Sequence, residues 1–190
     1  MAISMELFLL ELKREEGEFM KSTISYTING KVSTEETDWL NWVDDAYRIC
    51  DMLNITPNEC DIGSEKGNNI RSVKNLDSKI SRLYKNGDSV NAISLFFLPD
   101  DYKTIIFDFI VTIARVAEPK EYITVVLHRK YQDQYNSSFD EKKLMTILKD
   151  NIVEGEGEVY EMSIEECPEM YAGKANPREF YKTLHTIKTF

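Results

Sequence analysis

The chain has 190 residues, with 23 Lys+Arg against 33 Asp+Glu, a formal net charge of −10, 42% apolar residues and 29% charged ones. Nine Phe, ten Tyr and two Trp, in a chain long enough to bury about 70% of its unfolded surface, exclude a disordered polymer and predict a single domain over residues 1–190. The acidic balance argues against nucleic acid or an anionic membrane as a direct partner, because binding phosphates takes clustered Lys and Arg.

Residues 4–13 alternate weakly and read as a strand. A second run, 23–28, closes on Asn29-Gly30 before Lys31-Val32-Ser33, which predicts a hairpin with a short third strand. Ser33 and Glu36 have the spacing of a capping box. Trp39, Trp42, Val43, Ala46, Ile49, Cys50 and Leu53 then recur on one helical face, with Asp38, Asn41, Asp45 and Arg48 opposite and Pro57 as the stop. Residues 57–69 are polar and read as an exposed loop. A basic helix is predicted over 73–85, ending at Asn86-Gly87, followed by an apolar run, 90–98, with the character of a central strand buried on both faces.

Residues 100–117 admit two readings. Thr104, Asp108, Thr112 and Arg115 form a helical polar stripe, whereas four Ile and two Val favour a strand; the period favours the helix. Residues 121–131 read as a strand. Ser138 and Glu141 repeat the capping-box spacing ahead of a helix bearing Leu144, Ile147, Leu148 and Ile152. A turn, Glu154-Gly155-Glu156-Gly157, leads to a strand over 158–164. Asn176, Pro177 and Glu179 open a final helix with Phe180, Leu184 and Ile187 on one face. The expected fold class is α+β: a mixed, mainly antiparallel sheet packed by four to five helices.

The N-terminus lacks a basic region ahead of its apolar stretch, and Glu6 and Glu11 interrupt it, so it does not read as an export signal. The longest apolar-rich run, 102–117, is too short and too charged to span a bilayer. Cys50, Cys60 and Cys167 are an odd, scattered set without a CxxC pair, and His128 and His185 are the only histidines. These features predict reduced thiols in a cytoplasmic protein and no zinc site.

Charge is concentrated in two blocks. Residues 33–65 hold nine acids and one base, Arg48; residues 150–173 hold eight acids and no Lys or Arg, so each block carries −8 while the rest of the chain is +6. Such blocks serve solubility, but the second also contains Tyr160, Met162, Met170 and Tyr171, a mixture suited to docking a basic protein. The expected contact residues are Glu154, Glu156, Glu158, Tyr160, Glu161, Glu165, Glu166, Glu169 and Tyr171, helped by Asp38, Asp44 and Asp45. No calcium-loop, Walker or GxSxG spacing is present, so no catalytic residue, metal or cofactor is assigned.

In length, acidity, the Trp-bearing segment TEETDWLNWVDDAYRICDML and the run AISLFFLPDD, the chain resembles immunity proteins of bacterial polymorphic toxin systems. That resemblance implies a cognate toxin as partner, neutralised by stoichiometric binding, and it rests on no motif that carries functional residues over. Two other classes stay open. A nucleic-acid mimic would compete with DNA or RNA for its target, and an enzyme without a recognisable motif would gather His128 with a carboxylate or Cys167 in one pocket.

Overall fold

The computed structural model describes residues 22–33, 35–67, 69–98, 109–115, 121–128, 140–163, 168, 172 and 182–187. They form strands β1 (Ser22–Lys31), β2 (Glu59–Ser64), β3 (Asn69–Ile70), β4 (Val90–Phe97), β5 (Phe109–Ala114), β6 (Glu121–His128), β7 (Val153–Ser163) and β8 (Lys182–Ile187). Three helices lie between them: α1 (Glu36–Met52), α2 (Leu76–Lys85) and α3 (Glu141–Asp150). The strands make one sheet in the order β3-β2-β4-β5-β6-β1-β7-β8. Every pairing among them is antiparallel.

Register divides the sheet into two unlike faces. Ile62, Ile93, Ile113, Ile123 and Ile28 stand directly opposite one another across five strands. The next row on that face is Cys60, Leu95, Val111, Val125, Tyr26 and Val159. Onto these rows pack Trp39, Trp42, Ala46 and Ile49 of α1, Leu76, Ile80 and Leu83 of α2, and Leu144, Ile147 and Leu148 of α3, all in one continuous core. Each large aliphatic side chain buried there contributes about 1.5–3 kcal/mol. The opposite face has a polar row: Asp61, Ser94, Thr112, Thr124, Thr27, Glu158 and Thr186. Thr27, Thr112 and Thr124 are buried there and Ser94 is half-buried; Thr112 Oγ1 donates to Ser94 Oγ at 2.9 Å while the hydroxyls of Thr27 and Thr124 share a bond of 2.6 Å.

The α+β class matches expectation, but the sheet is antiparallel at every pairing among the described strands and not mixed. The described residues hold three helices, not four or five. The Asn29-Gly30 hairpin is absent, because β1 runs straight through it, Asn29 pairing with both Tyr122 and Glu156. Gly30 serves close approach instead of a turn: a Cβ there would sit 2.3 Å from Ile152 Cγ2. Lys31 ends β1, so no third strand follows it.

The capping box at Ser33 and Glu36 does not form. Glu35 is the N-cap and its side chain makes no capping bond, while Ser33 Oγ donates to Asp38 Oδ2. Pro57 is not the stop either. Asn54, at φ 51°, closes α1 with Asn54 N–H on Asp51 O (3.0 Å) and Ile55 N–H on Cys50 O (2.9 Å), a Schellman arrangement that satisfies carbonyls otherwise orphaned. Gly87, at φ 67°, closes α2 in the same way, as Asn86-Gly87 predicts.

The supposed loop over 57–69 contains β2, whose Cys60, Ile62 and Ser64 alternate inward. Helix α2 starts at Leu76, three residues later than expected. Strand β4 is half-buried on its outer face; the strands buried on both faces are β1, β5 and the inner part of β6. Residues 109–114 are strand β5, so the helical reading of 100–117 fails there, and the rest of that segment up to 108 lies outside the described residues. The glycine-punctuated turn at 154–157 is part of β7, and the supposed C-terminal helix is strand β8 over its last turns. The predicted strand at 4–13, residues 129–131, Ser138, and the helix start at 176–179 lie outside the described residues. Asp140 caps α3, its carboxylate accepting from Lys143 N–H at 3.0 Å.

Candidate functional site: an acidic cleft between two helices

Where α1, α3 and the paired ends of β1 and β7 meet, a cleft of about 790 Å³ opens. Its apolar lining is Val32, Trp39, Ile113 and Val153, and its charged lining is Asp38, Asp44, Asp45 and Asp150 with Arg48. Among the described residues, four carboxylates therefore face one guanidinium. The helical spacing that buries Trp39 and Trp42 turns Asp38, Asn41, Asp44, Asp45 and Arg48 toward this side of α1.

Two of the carboxylates are held. Asp45 takes Arg48 Nη1 and accepts from Asn151 Nδ2 at 2.9 Å, while the same amide donates to Ile147 O at 2.9 Å. Asn151, at the C-cap of α3, thereby ties that helix end to α1. Asp38 is held by Ser33. Asp44 and Asp150 are exposed and make no hydrogen bond or ion pair within the described residues. Asp150 is the last residue of α3, where the helix carbonyls already carry partial negative charge, so its carboxylate adds to an unfavourable local field that a cation would relieve.

Val153 forms the cleft's apolar rim and is 60% exposed, one of two large apolar side chains so placed among the described residues. A bulge explains it. Between the pairs Asn29–Glu156 and Lys31–Val153, β7 has one more residue than β1, and Glu154 takes φ 55° to absorb it. Such an extra residue bends the strand and re-aims its neighbours. The bulge fits against β1 because position 30 carries no side chain. The other exposed apolar residue, Leu184, is itself the unpaired residue where β8 shifts register against β7.

Of the expected contact residues, the structure brings Asp38, Asp44 and Asp45 into the cleft together with Asp150 of the second acidic block. Glu154 stands next to the rim and is exposed. Alternation along β7 parts the others: Glu156 and Glu158 lie on the polar face of the sheet, whereas Glu161 lies on the opposite side and accepts from Ser22 Oγ at 2.7 Å. Tyr160 is buried and donates its hydroxyl to Pro168 O at 2.9 Å, which makes it a packing residue with no ring at the surface. Glu165, Glu166, Glu169 and Tyr171 lie outside the described residues. Sequence reasoning missed Val153 and Asn151, whose roles depend on the bulge and on a helix-to-helix contact between distant segments.

Among the described residues, the cleft lining contains no histidine or cysteine. His128 is buried in β6, and His185, on β8 instead of a helix, pairs with Glu141 at 3.0 Å. Cys50 and Cys60 are buried, free thiols; burial pushes Cys50 up to about 12, with the Asp51 charge adding to it, and burial raises Cys60 as well. Both are held in the unreactive protonated form. Among the described residues no group of three or more His, Cys, Asp or Glu is placed to hold a metal ion, and no helix is long and apolar enough to cross a membrane. No family model, no curated protein and no solved structure matches the chain.

Proposed function

We propose that the protein is a non-enzymatic binding module of the cytoplasm that neutralises a basic protein partner by stoichiometric occlusion, as an immunity protein does its cognate toxin. The observation that carries this reading is the cleft: acids from both charged segments of the chain, Asp38, Asp44 and Asp45 with Asp150, line one concavity whose rim also carries an exposed valine. Charge of one sign focused in a concavity speeds encounter with a basic surface, and the apolar contact then slows dissociation. The deciding experiment is association kinetics with a partner co-purified from the native host. Asp44→Lys/Asp150→Lys should cut the association rate by roughly 10- to 100-fold at low salt and flatten its ionic-strength dependence. An unchanged rate and salt slope would sink the reading.

A further inference from the structure

We draw no further inference here: the strongest candidate, the exposed edge strand β8 at the end of the sheet, carries nothing, because the register shift at Leu184 interrupts the alternation an added strand needs and nothing in the structure shows what covers it.

Discussion

The two faces of the sheet are built on opposite principles. On the helix-covered face, five isoleucines in register meet the buried sides of α1, α2 and α3, and stability there comes from volume removed from water. On the other face the same strands present Ser94, Thr112, Thr124 and Thr27 in a row, and what holds them is pairing of hydroxyls. Threonine suits both requirements, since its β-branched shape fits a pleated strand while its oxygen needs a partner once buried. One sheet therefore contains a face that is sensitive to size and a face that is sensitive to hydrogen bonding.

The largest effect should come from the first face. Trp42→Ala removes a fully buried indole and is expected to cost about 3–5 kcal/mol in urea unfolding. A loss below about 1 kcal/mol would show that the helices are not packed as described. On the second face, Thr124→Val keeps the shape but leaves the Thr27 hydroxyl and the Tyr26 carbonyl without that partner, for an expected loss of about 1–2 kcal/mol. Replacing both, Thr27→Val/Thr124→Val, should cost less than the two single changes added together, because no orphaned hydroxyl remains at the pair. Strict additivity would erase the distinction between the faces.

The smallest effect is one of pH. Burial against the first face raises the Cys50 thiol from 9.0 to about 12. The folded state then binds the proton more tightly than the unfolded chain does. The stabilising contribution is fully present below pH 9 and is lost as pH rises toward 12. At pH 10 that loss is roughly 1 kcal/mol. Cys50→Ala should flatten the decline between pH 9 and 10 by that amount; an unchanged slope would mean that the thiol is not buried as described.

The amphipathic period of α1 and α3, the strand β6 and the antiparallel α+β class were all legible in the amino-acid order, because each depends on local spacing. What failed was local evidence recruited for a distant contact. Gly30 has the form of a hairpin glycine, yet its bareness accommodates Ile152 and the β7 bulge, more than 120 residues away. Residues 109–114 lack alternation because β5 is buried on both faces, and Thr112 is turned to the hydroxyl row instead of to water. The site divides in the same way. Asp38, Asp44 and Asp45 could be read from charge, whereas Val153 and Asn151 belong to it only through the register of β7 on β1.

That register also has a cost in time. Strand β1 is interior to the sheet, and its partners begin at Glu121 and at Val153. On a ribosome adding about 5–20 residues per second, roughly 5 to 20 seconds separate the synthesis of β1 from the first residue of β6, and β7 comes later still. For that interval Ile24, Tyr26 and Ile28 have none of the strand neighbours that cover them in the finished protein. A buried strand made so early depends on shelter from chaperones, or on non-native contacts within the nascent chain, until its sheet is complete.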